Sequence, residues 1–256
     1  MEPANEENKK EEVQEKVEDK AEQQEDEEEE KAKAKDEYEW PPLEGDPEIF
    51  TKYMKTVGLE KGNFNEIFSM EKEMLDNHPK NVRAIIFAFR RKESIIDNMT
   101  PTNAKYFMFQ EHDLDDACGV IACLHGIFNN LDKFPLKPNS PLEQLWKLVE
   151  NQSPLKCSEI VSGFQQLKEA HHDAADEGQS DVPESQDEVK YHFVCFIVDK
   201  AKQLVYLDGC KETPLMIKPN VKEEDLIYLT IELIKSWLAD NKIEESFSIM
   251  TLNSEI

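Results

Sequence analysis

The sequence predicts an α+β protein, in which helices and strands are mixed along one folded domain, preceded by an acidic arm. Two observations predict this class. Several stretches, such as residues 118–131, repeat apolar residues at the helical period. Shorter runs, such as residues 192–198, are continuously apolar and rich in β-branched and aromatic residues, which is typical of strands. The length of 256 residues is enough for one sizeable core or two small ones.

The arm comprises residues 1–39, and we expect it to be disordered. It holds eighteen Asp or Glu residues against seven Lys, with almost no large apolar side chains. A single solvated helix is the alternative, because Glu, Lys, Ala and Gln are good helix formers. The predicted folded domain is therefore 40–256. The arm is either a solubilising tail or a docking segment.

The formal net charge of −25 restricts the choice of partners. Nucleic acid is excluded, because its phosphates need a basic surface, and partners that carry positive charge are favoured. We see no signal peptide and no apolar run that approaches the length of a membrane span. We therefore expect a cytoplasmic protein that does not bind membranes, with the nucleus as an open alternative.

The first elements of the domain are a helix and three strands. Asp46 as cap, Pro47 at the first helical position and Gly58 as the end predict an amphipathic helix between them. Short apolar runs rich in β-branched and aromatic residues predict strands, and a short helix is possible between the first two. These strands are residues 64–70, 84–89 and 106–109.

A cysteine opens the next helix, which is strongly apolar. Apolar residues recur at helical spacing for about three turns after Cys118, and Asp115 and Asp116 are acceptable cap residues. The free N–H groups and the dipole at a helix start stabilise a thiolate, although the nearby aspartates oppose it and require a compensating cation. Cys118 is therefore a candidate nucleophile. The alternative is a small buried core residue.

Helices and a long loop follow. Ser140 and Glu143 form a capping box around Pro141, which predicts a helix to about Val149. A further helix is predicted from residue 158 to 171. Residues 172–190 are polar, acidic and without periodicity, so we expect a long mobile loop. The chain closes with a helix over 223–240 and a strand over 247–252.

A β-hairpin is predicted for residues 191–207. If its loop is residues 199–201, His192 lies directly opposite Asp208, with Cβ atoms about 5 Å apart. An imidazole and a carboxylate so placed can hydrogen-bond, as a general base and its orienting acid do. The alternative is a strand histidine that is satisfied by a neighbour and has no catalytic role.

The five cysteines are odd in number and include no Cys-x-x-Cys pair. Neither a disulfide framework nor a zinc site is therefore indicated, and we expect a reducing compartment, no cofactor and no metal. Cys123 and Cys195 lie in apolar runs and are expected in the core. Cys210 follows Asp208 in a turn and is expected to be exposed.

The order Gln110, Cys118, His192, Asp208 resembles that of the ubiquitin C-terminal hydrolase family of cysteine proteases. The segments that carry the resemblance are YFMFQ, ACGVIACLHGIFNN, HFVCFIV and LDGCKETP. WPPLEGDPEIFTKYMKTVGL resembles the family's opening and FSIMTL its closing strand, so the likeness covers nearly all of residues 40–256. It implies a papain-like fold, with a mainly antiparallel central sheet flanked by helices and a knotted chain path.

The resemblance also implies roles. Cys118 would be the nucleophile, His192 the general base and acid, Asp208 the group that orients the imidazole, and Gln110 the oxyanion donor. The implied protein is a monomeric deubiquitinating thiol hydrolase that needs no cofactor. Its implied substrate is ubiquitin, or a ubiquitin-like protein, with a small or flexible adduct on the C-terminal glycine, cleaved through a thioester. Residues 172–190 resemble the family's crossover loop, which limits adduct size.

Two intervals are longer than in the family. Gln110 lies two residues farther from Cys118, and His112 stands where the family has its glutamine. We assign Gln110 because it ends the same YFM segment. The interval from His192 to Asp208 is one residue longer. The alternative function is a ubiquitin-binding module with weak or no turnover, in which the altered glutamine loop fails and the arm recruits a basic partner.

Overall fold

The structure is a computed structural model that describes residues 39–255 apart from residues 93, 96–98, 112, 115 and 179–190. The predicted disorder of the arm falls on residues outside this part of the chain, apart from Glu39. Most of the predicted mobile loop also lies outside the described residues. The carboxylate of Glu39 is 2.7 Å from Lys168 Nζ, and the next residue, Trp40, is buried.

Within the described residues, a seven-stranded sheet forms the centre of the domain. Its order is β1-β7-β2-β4-β5-β6-β3, and every neighbouring pair is antiparallel. The prediction of a mainly antiparallel sheet is therefore confirmed. The strands are β1 (Asn63–Glu66), β2 (Val82–Arg91), β3 (Thr100–Pro101), β4 (His192–Val198), β5 (Leu204–Leu207), β6 (Leu215–Lys218) and β7 (Ile243–Asn253).

Helices cover both faces of this sheet. They are α1 (Pro47–Val57), α2 (Lys72–Asn77), α3 (Cys118–Asn129), α4 (Pro141–Val149), α5 (Pro154–Ser162), α6 (Gln165–Asp176) and α7 (Leu226–Ala239). One apolar core joins the sheet to α1 and α3 to α6, and a second joins it to α2 and α7. The α+β class is confirmed. None of the helices in the described part of the chain is long and apolar enough to traverse a bilayer.

Helix α3 lies close against the centre of the sheet, because small residues face each other there. The side chains of Ala84 and Ala88 on β2 belong to the core on the α3 side. A Cβ atom added to Gly126 would lie 3.0 Å from the Cβ of Ala84, so any larger residue would have to push the helix and the strand slightly apart. Every residue of α3 from Cys118 to Phe128 is buried. The position of the helix start is thus fixed by packing.

The caps of two helices match the sequence prediction. Asp46 Oδ1 accepts hydrogen bonds from the N–H groups of Glu48 and Ile49, and α1 ends at Gly58, whose φ is 120°. Ser140 Oγ accepts from the N–H of Glu143 at 3.3 Å and opens α4. These bonds satisfy N–H groups that have no partner within the helix.

The predicted strand at residues 106–109 is wrong. This segment belongs to no strand, because side chains of α3 take its backbone hydrogen bonds. The N–H of Met108 donates to His125 Nε2 at 3.1 Å, and the N–H of Tyr106 donates to Asn129 Oδ1 at 3.0 Å. Asn129 Nδ2 in turn donates to the carbonyl of Tyr106 at 2.8 Å. The apolar run packs on a helix instead of pairing in the sheet.

The bounds of several other elements differ from the prediction. The predicted helix at 158–171 is two helices, because Gly163 ends α5. Helix α6 then continues to Asp176, into the predicted loop, and buries His171, Ala174 and Ala175. Strand β1 ends before residue 70, whereas β2 and β7 extend beyond their predicted ranges at both ends. The predicted closing helix is confirmed by α7, which a short 3-10 turn precedes.

Candidate active site

Cys118 is the first residue of α3, as its sequence pattern predicted. The position before the helix is taken by Ala117, and no described side chain caps this end. Of the two predicted caps, Asp116 is buried and does not occupy the cap position, and Asp115 lies outside the described residues. The Cys118 side chain is therefore next to the first-turn N–H groups of α3, which is a suitable position for a developing negative charge.

The hairpin that carries His192 has a longer loop than predicted. Val198 pairs with Leu204 and Cys195 with Leu207, so the loop is five residues, 199–203. Asp199 Oδ1 accepts from the N–H of Gln203 at 2.7 Å and closes it.

The predicted pairing is consequently shifted by two residues, and His192 and Asp208 are diagonal neighbours across the hairpin. Because side chains alternate between faces with a period of two, a shift of two leaves both residues on the same face. His192 Nε2 donates to Asp208 Oδ1 at 2.7 Å. The contact that the sequence predicted is thus formed, although in a different register.

Asp208 is a buried carboxylate held by several donors. Its Oδ1 also accepts from the N–H of Cys210 at 2.9 Å, and its Oδ2 accepts from the hydroxyl of Tyr206 at 2.8 Å. The Asp208 side chain has no exposed surface, whereas that of His192 keeps 20%. The imidazole is therefore oriented by a fixed acceptor and still reaches the surface.

The imidazolium of His192 and the carboxylate of Asp208 stabilise each other's charge. Burial lowers the pKa of His192, but the hydrogen bonds to Asp208 and Cys118 and the charges of both outweigh burial and raise it to about 9. Burial raises the pKa of Asp208, yet its bonds to His192, Cys210 and Tyr206 together lower it to about 2. At neutral pH the pair is an imidazolium and a carboxylate. The imidazolium is the cation that a thiolate at Cys118 requires.

Gln110 lies against the turn that follows Asp208. Its N–H donates to the carbonyl of Gly209 at 2.9 Å, and its Oε1 accepts from the thiol of Cys210 at 3.6 Å. A Cβ atom on Gly209 would lie 3.0 Å from Gln110 N and 3.4 Å from Ile121 on α3. The structure therefore brings Gln110 to the junction of α3 and the hairpin. His112, the alternative at the family's position, is outside the described residues.

Comparison with known proteins decides the family. The sequence pattern described as "Ubiquitin carboxyl-terminal hydrolase, family 1" matches residues 40–238, which is more than half of the chain. The chain belongs to this family. It is accordingly a cysteine-type deubiquitinase, a hydrolase of the thiol protease class, as the sequence resemblance implied.

Relatives in distant organisms support this placement. The chain is 27% identical to a ubiquitin carboxyl-terminal hydrolase of Aplysia californica over 211 residues, which cover 79% of this chain and 96% of that protein. It is 28% identical to ubiquitin carboxyl-terminal hydrolase 3 of Arabidopsis thaliana, with 72% and 81% covered. The alignment with this chain therefore spans nearly the full length of the Aplysia relative.

A solved structure shares the fold. The UCH37 catalytic domain of Trichinella spiralis, crystallised with ubiquitin vinyl methyl ester, matches with a TM-score of 0.68 at 20% sequence identity. The match covers 85% of this chain and 96% of that chain. At this identity the comparison establishes the architecture of the family domain.

Two residues of this hydrolase domain were missed by the sequence analysis. His125 and Asn129 hold the segment that leads to Gln110, through the bonds to Met108 and Tyr106 described above. Burial lowers the pKa of His125 to about 4, so the ring is neutral and Nε2 can accept. Both residues follow Cys118 at spacings that place them on one helix face, a signal that could have identified them.

Three of the remaining cysteines of the hydrolase, Cys123, Cys195 and Cys210, lie where the sequence predicted. Cys123 and Cys195 are buried in the core, and burial raises the pKa of both thiols. Cys157 is buried as well, with its pKa raised to about 11 by burial. Cys210 is exposed.

Proposed function

We propose that this hydrolase removes small or flexible adducts from the C-terminal glycine of ubiquitin with the triad Cys118, His192 and Asp208. The observation that carries the proposal is the 2.7 Å hydrogen bond from His192 Nε2 to the buried carboxylate of Asp208, with Cys118 close enough to the imidazole to contribute to its raised pKa. The Trichinella relative was crystallised with a ubiquitin derivative, which supports ubiquitin as the substrate. Residues 40–256 would form the catalytic domain, and the arm would lie outside it.

In the first step the thiolate of Cys118 attacks the carbonyl carbon of the terminal glycine of ubiquitin. The π electrons of the carbonyl move onto its oxygen and give a tetrahedral oxyanion. When this collapses, the bond to the leaving group breaks and the imidazolium of His192 supplies the proton that the leaving group needs. The products are the free adduct and a thioester between ubiquitin and Cys118.

In the second step water attacks the thioester. His192, now neutral, takes a proton from the water as the new C–O bond forms, and the C–S bond then breaks. The sulfur leaves as a thiolate beside an imidazolium, which restores the starting state. Asp208 keeps the ring in one tautomer and orientation throughout, because its Oδ1 accepts from Nε2 and leaves the other ring nitrogen for Cys118.

The oxyanion needs hydrogen-bond donors at its position. We assign this role to the amide of Gln110 and to the backbone N–H at the start of α3. The contact between Gln110 Oε1 and the thiol of Cys210 supports the assignment, because it places the amide beside the turn that follows Asp208. The longer interval between Gln110 and Cys118 is compatible with this role, since Gln110 N–H is anchored to Gly209.

The experiment compares turnover of two ubiquitin conjugates by the full chain. One carries a small fluorogenic amine on its terminal glycine, and the other carries a tightly folded protein. We expect rapid release of the small amine, slow release of the folded protein, and no release by Cys118→Ser. Binding of ubiquitin without release of either adduct would contradict the proposal and favour the alternative of a ubiquitin-binding module.

A further inference from the structure

Three side chains that commonly bind metals converge at the end of the β4–β5 hairpin. One ligand atom from each of His192, Asp208 and Cys210 lies within 4.8 Å of the other two. Their spacing in the sequence matches no zinc-binding motif, and only the hairpin and its following turn bring them together. Cys210 is the exposed member, so an ion can reach the cluster from solvent.

We propose that His192, Asp208 and Cys210 form an inhibitory Zn²⁺ site, in which the metal occupies the place of the proton between His192 and Asp208. This inference rests on the proposed triad for its functional consequence. The site itself needs no catalytic step.

The donor set suits zinc. Zinc binds thiolate, imidazole and carboxylate ligands at about 2.0–2.3 Å, usually with four ligands in a tetrahedron. Ligand atoms in a tetrahedral zinc site are about 3.5 Å from one another. The three atoms here lie within 4.8 Å of one another, so a ligand atom would need to move by about 1 Å to bind zinc. Rotation of the exposed Cys210 side chain can provide this movement. The fourth position, on the solvent side, would be taken by water.

The surroundings of the cluster also fit. Metal ligands are normally oriented by outer hydrogen bonds, and Asp208 Oδ2 already accepts from the buried hydroxyl of Tyr206. The mixture of a thiolate and an imidazole favours zinc over calcium or magnesium, which bind oxygen ligands. Zinc binding would release two protons to the buffer, one from the Cys210 thiol and one from the His192 imidazolium.

Zinc at this site would stop catalysis directly. With Zn²⁺ on Nε2, the imidazole keeps a hydrogen on its other nitrogen, which faces Cys118. That nitrogen can no longer accept a proton from water, and giving its hydrogen to the leaving group would leave an imidazolate, which makes the ring a far weaker acid than the imidazolium. Metal and substrate turnover are therefore mutually exclusive, and a chelator should restore activity.

The first test measures binding without catalysis. Full-length Cys118→Ala is titrated with Zn²⁺ in competition with a chromophoric chelator. We expect one Zn²⁺ per chain, and a Kd that rises about 100-fold or more when Cys210→Ala is added. Cys157→Ala in the same background is the matched control, because it removes a buried thiol outside the cluster, and its Kd should not change. Equal Kd values for the variants with and without Cys210 would overturn the proposal.

The second test measures inhibition in metal-buffered solutions, with each rate expressed relative to the same protein without zinc. We expect inhibition of the wild type that a chelator reverses, and at least about tenfold more free Zn²⁺ for half-inhibition of Cys210→Ala. Identical half-inhibition would mean that zinc acts on Cys118 itself and would overturn the inference. Because the binding test uses a protein without the nucleophile, it stands or fails independently of the proposed hydrolysis.

Discussion

Asp208→Asn tests whether the charge of Asp208 sets the working pH range. Asparagine keeps the shape of the site, because its amide oxygen can still accept from His192 Nε2 and its NH₂ group can donate to the Tyr206 hydroxyl. The carboxylate charge is lost. We therefore expect the pKa of His192 to fall, since the burial that lowers it remains and a large opposing contribution is removed.

The size of the effect follows from the pKa of His192. In the wild type this pKa is about 9, so about 90% of the ring is protonated at about pH 8. If the variant returns to 6.5, about 3% is protonated at that pH, and the rate falls about 30-fold. At about pH 6 both proteins are mostly protonated, and the rates differ by less than about twofold.

The assay is the initial rate of release of a fluorogenic amine from ubiquitin, measured from about pH 5.5 to 9.5. The upper limb of the profile should move to lower pH in Asp208→Asn. Tyr206→Phe, which removes one hydrogen bond from the carboxylate but keeps its charge, should move it much less. An equal loss of rate at every pH would refute the electrostatic reasoning and leave only an orienting role for Asp208.

The same pair should make stability depend on pH. The folded-state pKa of His192 lies above its unfolded value and that of Asp208 lies below its unfolded value, so the pair's contribution to the free energy of unfolding is complete between about pH 3.8 and about pH 6.5. It is lost as the pH rises through about 9. Urea denaturation of the wild type and Asp208→Asn should therefore give unfolding free energies that converge at high pH.

Three further outcomes are expected. Gly209→Ala places a Cβ atom 3.0 Å from Gln110 N and should lower kcat by about ten- to hundredfold. Gly163→Ala is its control in the same kinetic assay, because the added Cβ atom would make only an ordinary van der Waals contact and should leave kcat unchanged. Gln110→Ala should lower kcat by about 10²-fold, and an unchanged kcat would transfer the oxyanion role to other donors. His125→Leu leaves the N–H of Met108 without its acceptor and should lower the free energy of unfolding by about 1–3 kcal/mol in urea denaturation, whereas an unchanged value would show that this bond does not hold the segment.

The elements that the sequence predicted well are those whose signals are local. The cap at Asp46, the capping box at Ser140 and the apolar period after Cys118 depend on residues a few positions apart. Such patterns are set by helix geometry, so they survive in the folded chain. The family resemblance added the substrate, the reaction and the oxyanion donor, which no local pattern contains.

The elements that were predicted wrongly depend on distant partners. The apolar run at 106–109 has strand composition, but its hydrogen-bond partners His125 and Asn129 lie on a helix farther along the chain. The predicted hairpin register was wrong because the loop is longer than expected. Lys202 in this loop adopts a φ of 62°, which is uncommon for a residue other than glycine, so the sequence does not indicate this loop conformation. The contact between His192 and Asp208 was still predicted correctly, because a register error of two residues leaves both side chains on the same face of the hairpin.

The most direct test of the central claim is the intact mass of the protein after treatment with ubiquitin vinyl methyl ester, followed by peptide mapping of the adduct. We expect one ubiquitin per chain, attached to Cys118, and no adduct on Cys118→Ser. An unmodified wild-type protein, or an adduct on the exposed Cys210, would contradict the assignment of the nucleophile.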